Sequence, residues 1–373
     1  MGREGVVPVR LCVAAGGTGG HIYPALAIAR AAVEAGVVRE VRFVGALGGM
    51  EERLVPAAGF ALYTLPVRGM VRKRPTEWAR AAAVLGVSVA RAAGFLHRFR
   101  PDVVLGTGGY AAGPVGAAAV MLRIPLVLQE QNTVPGVTNR LLAPHASRIA
   151  IPYPAAADRF PRGTRLVVTG NPVRPELLGV DPVAARRRLG LAPGGRVVLM
   201  VAGSRGSAVF ARWLADLAVG LQEGTLLFVS GGAHHGAAQA AAAGQGRVRV
   251  VPYLEAMGDG LAAADLVVGR AGAIFLAELA AVGRPALLVP SPHVTHHHQE
   301  VNAAVFEQAG AAEVLSETRT DGVRLGQRIA ALLGDAQRRQ TMAAAARSLA
   351  RPRALVDLVA LLAEVDRSRG KGR

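Results

Sequence analysis

The chain repeats one cycle: a short, predominantly apolar run, a glycine-rich turn and an alanine-rich helical stretch. "VRLCVAA" leads through "GGTGGH" into "PALAIARAAVEAG", and "PDVVLG" leads through "TGGYAAGP" into a second helical stretch before "IPLVLQEQN". Strands this apolar are covered on both faces, and the helices between them supply crossovers, so the cycle predicts parallel sheets flanked by helices. The cycle restarts in the second half. There "RVVLMVAGSRGS" (196–207) repeats the logic of "VRLCVAAGGTGG", and "ADLVVGRAGA" (264–273) echoes "PDVVLGTGGY" (101–110). Between the halves lies "TGNPVRPELLGVDP" (169–182), rich in Pro and Gly and without helical periodicity, which reads as the linker. The expected organisation is α/β: two doubly wound domains, 1–172 and 173–349, with a closing amphipathic helix over 350–373. In open sheets of this type ligands sit outside the carboxyl ends of the strands. Every glycine loop falls at such an end, so both sets are expected to face one interdomain cleft.

Composition narrows the function classes. With 51% hydrophobic residues over 373, the chain can bury two sizeable cores, which excludes a disordered protein. Its single cysteine, Cys12, rules out an internal disulfide and suits a reducing compartment. The first apolar run is short and broken by Arg10, so it reads as a strand and not a signal peptide. No uninterrupted apolar run reaches the ~18 residues of a membrane span. All but two of the 43 basic residues are arginine, and the formal net charge is +17. Part of this is compositional bias; the charge admits a nucleic acid, an anionic membrane or an anionic substrate. Aromatics make up only 4% and do not interleave with basic runs, so a nucleic-acid partner lacks its stacking platform. The segment 68–100 sets Arg68, Arg72, Lys73, Arg74, Arg80, Arg91, Arg98 and Arg100 against one acid, Glu77. Trp78, Leu85, Val89, Phe95 and Leu96 supply its apolar surface, so it reads either as a membrane-surface segment or as a core helix with a solvated basic face.

The loops carry the chemistry. "AAGGTGGHIYPALAIA" (14–29) lacks the lysine of a phosphate-binding Walker loop. Its register from Gly17 puts Ile22 where a dinucleotide fingerprint needs its third glycine. What remains is a glycine nest opening a helix, able to face an anion, with His21 in the first turn; the plainer alternative is a tight turn capped by a histidine. "GTGGYAAGP" (106–114) is a second such loop. In "LQEQNTVPGVTNR" (128–140) the polar run Gln129, Glu130, Gln131 and Asn132 follows a buried strand and offers hydrogen bonds to sugar hydroxyls or a peptide. "AGSRGS" (202–207) suits an anion, with Ser204 as donor and Arg174 as counter-charge. Glu278, inside the helix of "GRAGAIFLAE" (269–278), suits a ribose diol. "PSPHVTHHHQE" (290–300) concentrates histidines without ligand spacing, and the chain has no D-x-D pair, so no metal is expected and polar ligand contacts are favoured.

Taken in order, "GGTGGHIYPALAIA", "GTGGYAAGP", "QEQNTVPGVTN", "TGNPVR", "GSRGS", "GRAGAIFLAE" and "HHHQEVNA" resemble the MurG family, which transfers N-acetylglucosamine (GlcNAc) onto lipid I to make lipid II. The resemblance spans nearly the whole chain and implies a GT-B fold. It implies that the second domain holds UDP-GlcNAc: Arg270, Gly272, Ala273 and Leu254 near the uracil, Glu278 on the ribose, Ser204 and Arg174 on the diphosphate, and His298 and Gln299 on the sugar hydroxyls. Thr18, Gly19, Gly20 and Asn132 complete the implied donor set. Gly16, Gly17, Gly108, Gly109, Tyr110, Glu130 and Asn139 lie on the implied acceptor side, with His21 as candidate general base. Implied partners are lipid I, the anionic cytoplasmic face of the cell membrane, where the protein would be peripheral, and other cell-wall synthesis and division proteins; no cofactor is implied. The sequence departs from the family pattern at Ala202, at Ala271 and in the histidine run. A related GT-B glycolipid synthase acting on diacylglycerol is the alternative.

Overall fold

The computed structural model describes residues 8–67, 75–203, 206–220 and 224–370. The chain forms two compact units, Met1–Pro172 with Arg353–Arg373, and Val173–Pro352. The first unit contains strands β1 (Val9–Ala14), β2 (Val38–Ala46), β3 (Ala61–Leu65), β4 (Val103–Gly106), β5 (Leu126–Gln129), β6 (Arg148–Ile151) and β7 (Leu166–Val168). They pair in the order β3-β2-β1-β4-β5-β6-β7, and every pairing is parallel. The second unit contains β8 (Val197–Val201), β9 (Thr225–Val229), β10 (Val248–Val251), β11 (Leu266–Gly269), β12 (Ala286–Leu288) and β13 (Ala312–Val314). Their order, β10-β9-β8-β11-β12-β13, is again wholly parallel. Both sheets are therefore doubly wound and reverse direction beside their first strand, between β1 and β4 and between β8 and β11. The internal echo in the sequence now has a structural meaning: β11 stands to β8 as β4 stands to β1.

The two-residue period of a strand explains how one apolar run serves two cores. In β1, Cys12 and Ala14 face a layer with Ala92, Phe95, Leu96 and Phe99 of the helix Pro75–Phe99 and Val115 of the helix Ala112–Met121. Val9, Leu11 and Val13 face the opposite layer, where Ile28 and Ala29 of the helix Gly19–Glu34 meet Leu358, Leu361 and Leu362 of the helix Ala354–Gly370. The last helix thus completes the first unit's core, and Arg148 of β6 ties to its Glu364 at 2.6 Å. Burial pushes the Cys12 thiol well above its ordinary range, so it is an inert core residue.

The helix Pro75–Phe99 bears on the two readings of segment 68–100. Arg68, Arg72, Lys73 and Arg74 lie outside the described residues, and the side chains of Glu77, Trp78 and Arg80 are not described. Phe95 and Leu96 follow the core-helix alternative: both are buried in the first layer, where Phe95 stacks on Tyr63 with ring centroids 4.7 Å apart. Leu85 and Val87 are exposed. Among the described residues no helix is long and apolar enough to cross a membrane.

Candidate active site

In the first unit the loops leaving β1 and β4 touch. Gly109 has φ +82°, and a Cβ there would lie 1.8 Å from the Gly16 carbonyl oxygen, so only glycine permits the approach. Gly108, at φ +97°, lets the His21 ring lie against the backbone; a Cβ would fall 2.9 Å from Nδ1. Tyr110 is exposed and lies over Gly17. Thr18 is the N-cap of the helix Gly19–Glu34 in extended conformation and makes no side-chain cap bond. The helix opens at His21 and Ile22, whose N–H groups donate to the Thr18 carbonyl at 3.1 and 3.2 Å. Gly19 is buried and Gly20 exposed at this positive helix end.

The polar run after β5 behaves differently from its sequence reading. Gln129, Glu130 and Gln131 are all buried. Glu130 staples the loop: Oε1 accepts from Asn132 N at 2.9 Å and Asn132 Nδ2 at 3.3 Å, while Oε2 accepts from Gly136 N and Asn139 Nδ2, each at 2.9 Å. Glu130 and Asn139, read as acceptor-side residues, thus bond to each other in the resting loop, while Asn139 Oδ1 is buried with no hydrogen-bond partner among the described residues. Asn132, half-buried, is the member of the run that reaches the surface. Four consecutive polar residues at a strand end can satisfy one another as readily as a ligand, and sequence alone does not separate the two.

Residues missed from sequence complete the floor. Glu51 is fully buried, its Oε1 accepting from Ala46 N at 2.7 Å. A Cβ on Gly16, Gly45 or Gly49 would lie within 2.6 Å of its side chain, so three glycines make its seat. Thr107 Oγ1 donates to the His21 carbonyl at 3.0 Å, and Asn171 hydrogen-bonds Gln129 and Gln131. The signals available were the glycines of "VGALGG" ahead of Glu51 and the recurrence of amides at two strand ends.

In the second unit Ser204 lies outside the described residues. Gly206 and Gly231, both at positive φ, pack backbone to backbone beyond β8 and β9. Arg270 turns inward: its guanidinium sits 4.4 Å from the Phe210 ring centroid, donates to Val289 O at 2.9 Å and Ser207 Oγ at 2.8 Å, and pairs with Glu317. Burial pulls its pKa down, opposed by Glu317. Gly272 is the N-cap of the helix Ala273–Val282, whose start faces the same sheet end. Glu278 lies on that helix, buried, with Oε1 accepting from Arg174 Nε at 2.9 Å. Burial raises the Glu278 pKa and Arg174 partly draws it back. Burial also acts against the Arg174 charge, but Glu278, with Glu176 and Tyr253 behind it, outweighs it and raises the Arg174 pKa. Leu254 packs over Gly260, Gln299 Oε1 accepts from Ser291 N at 2.9 Å, and His298 begins the helix His298–Gln308. His296 and His297 are exposed, and among the described residues no three His, Cys, Asp or Glu side chains gather as metal ligands.

Two parallel, doubly wound units, each with glycine loops and a helix start at its switch point, make up the GT-B fold class. Sequence profiles for the glycosyltransferase family 28 N-terminal and C-terminal domains match residues 11–151 and 197–358. The chain is 42% identical over 365 residues to the UDP-N-acetylglucosamine--N-acetylmuramyl-(pentapeptide) pyrophosphoryl-undecaprenol N-acetylglucosamine transferase of Moorella thermoacetica, covering 95% of this chain and 98% of that one. It is 39% identical to the protein of the same name from Lacticaseibacillus casei, over 95% of this chain and 98% of the relative. Among solved structures, Acinetobacter baumannii MurG superposes with a TM-score of 0.78 at 30% identity, covering 96% of this chain and 100% of that one. The calicheamicin glycosyltransferase CalG4, at 15% identity and a TM-score of 0.68, covers 96% of this chain and 97% of its own and shares the fold alone. The chain belongs to the MurG family, within glycosyltransferase family 28.

Proposed function

We propose that this chain transfers GlcNAc from UDP-GlcNAc to the C4 hydroxyl of N-acetylmuramate in lipid I, inverting the anomeric centre and forming lipid II for peptidoglycan synthesis. The observation that carries this reading is the meeting of Gly16, His21, Gly108 and Gly109 at the first unit's switch point, in a chain of this family. His21 Nε2 takes the hydroxyl proton as the acceptor oxygen bonds to the sugar C1, and the bond from C1 to the diphosphate breaks to release UDP. The uncapped start of the helix Gly19–Glu34 and the glycines before it accommodate the anionic diphosphate of the acceptor. In the second unit, Glu278 accepts from the ribose hydroxyls, and Arg174 with the start of the helix Ala273–Val282 stabilises charge on the departing diphosphate. Gln299 and His298 address the sugar hydroxyls. Since Arg174 and Glu278 pair with each other at 2.9 Å, donor binding recruits an assembled ion pair.

The protein works as a peripheral enzyme on the cytoplasmic face of an anionic membrane. The basic character of segment 68–100 and the exposed Leu85 and Val87 support that placement. The deciding experiment offers labelled UDP-GlcNAc with a lipid I analogue and, separately, with diacylglycerol. Transfer to the first alone is expected; transfer to diacylglycerol alone would replace this reading with the glycolipid-synthase one. Flotation with anionic vesicles should weaken as salt rises, and salt-independent or absent flotation counts against the membrane placement.

A further inference from the structure

His21 Nδ1 lies 2.9 Å from Gln131 Oε1. Which atom of the pair carries the hydrogen is settled by what surrounds the amide. Gln131 Nε2 donates to the Thr107 carbonyl at 2.7 Å and the Gln129 carbonyl at 3.3 Å, and it also meets Gln129 Oε1. Turning the amide over would set its oxygen against three oxygens in a site 2% exposed, so the orientation is fixed. Gln129 is anchored in turn: its Nε2 donates to Asn171 Oδ1 at 3.0 Å, and Asn171 Nδ2 returns a bond to the Gln131 carbonyl at 2.8 Å. An amide oxygen only accepts. Nδ1 of His21 must therefore bear the hydrogen, and in the neutral ring Nε2 keeps the lone pair.

We propose that Gln131 is a positioning residue that holds His21 as its Nδ1–H tautomer, the reverse of the form that predominates in water, and so aims a basic Nε2 at the acceptor. The assignment rests on His21 being the base for its catalytic meaning, but the tautomer is a property of the resting protein. The Gly108 backbone against the ring and the closed amide circuit behind it hold the orientation before substrate arrives. Because the partner is an amide and not a carboxylate, it orients the ring without adding a negative charge beside it.

The test is nitrogen NMR of the full chain with 15N-labelled histidine side chains, the His21 signals being identified by their loss in His21→Ala. In the neutral ring the expected pattern is a pyrrole-like Nδ1 and a pyridine-like Nε2. The opposite pattern, or the averaged pattern of a free imidazole, overturns the proposal. Gln131→Met keeps the side-chain length and removes the acceptor; the His21 pattern should relax toward the solution form. Where that variant stays folded, kcat should fall about 10- to 100-fold, within the ~10²–10⁴-fold reach of general-base catalysis, with KM for UDP-GlcNAc little changed. An unaltered His21 pattern in folded Gln131→Met also overturns the proposal, and if the variant fails to fold, the parent spectrum still decides. Near-normal turnover of His21→Ala would remove the base from His21 while leaving the tautomer assignment standing, so the two failures are distinguishable.

Discussion

Gly109 and Gly36 both adopt positive φ, at +82° and +68°, yet their surroundings differ completely. A Cβ on Gly36 meets nothing within 4 Å, whereas on Gly109 it would strike the Gly16 carbonyl. Gly36→Ala should therefore cost only the left-handed strain of about 1–2 kcal/mol and leave turnover intact. Gly109→Ala must in addition push apart the loops that frame His21, so activity should collapse out of proportion to any loss of stability. Urea unfolding and transfer assays on both variants check this; equal effects from the two would refute the loop-contact account. Glu130 is a second residue-scale case. Glu130→Ala strands donors on Asn132, Gly136 and Asn139, and charged hydrogen bonds of this type predict a loss of about 3 kcal/mol by denaturant unfolding. A loss under about 0.5 kcal/mol would show that water replaces the carboxylate and that the staple is not structural.

At the scale of elements, the helix Ala273–Val282 carries Glu278 into a buried position where Arg174 meets it. On the proposed role of Glu278 as the ribose acceptor, donor affinity should fall as pH drops through the Glu278 pKa. Burial sets that fall above the ordinary carboxylate range, and Arg174 limits the rise. Arg174→Met removes the limiting charge, so the acid limb of UDP affinity should move to higher pH, on top of a weaker affinity throughout. Calorimetric titration across pH measures both, and an acid limb moving to lower pH would exclude this coupling. The elements were legible in the sequence because "VVLMV" is apolar at every position and "VRLCVA" at all but Arg10, a pattern that a doubly covered sheet explains. The glycine loops were legible because their glycines cluster where a strand gives way to a helix. The amide circuit of Gln129, Gln131 and Asn171 was not, since it joins residues about 40 positions apart whose partners only the sheet brings together. Nor was the inward turn of Arg270, because nothing in "GRAGA" names Phe210 and Glu317 as its neighbours.

At the scale of the whole molecule, chain order and core membership diverge. The first unit is not closed by its own 172 residues: its second core layer takes Leu358, Leu361, Leu362 and Val365 from the far end of the chain. The second unit builds its layer of Val198, Met200, Phe210, Leu214 and Leu217 from the middle of the chain. Leu362 and Leu217 are both fully buried, so each truncation to alanine should cost about 2–5 kcal/mol. The location of the cost is the informative part. Hydrogen exchange followed by mass spectrometry should show Leu362→Ala deprotecting β1 and β4, more than 250 residues away in sequence, while β8 and β11 keep their protection. Leu217→Ala should do the converse. If Leu362→Ala instead deprotected β8 as strongly as β1, the terminal helix could not be a member of the first core alone, and the molecule would unfold as one cooperative body.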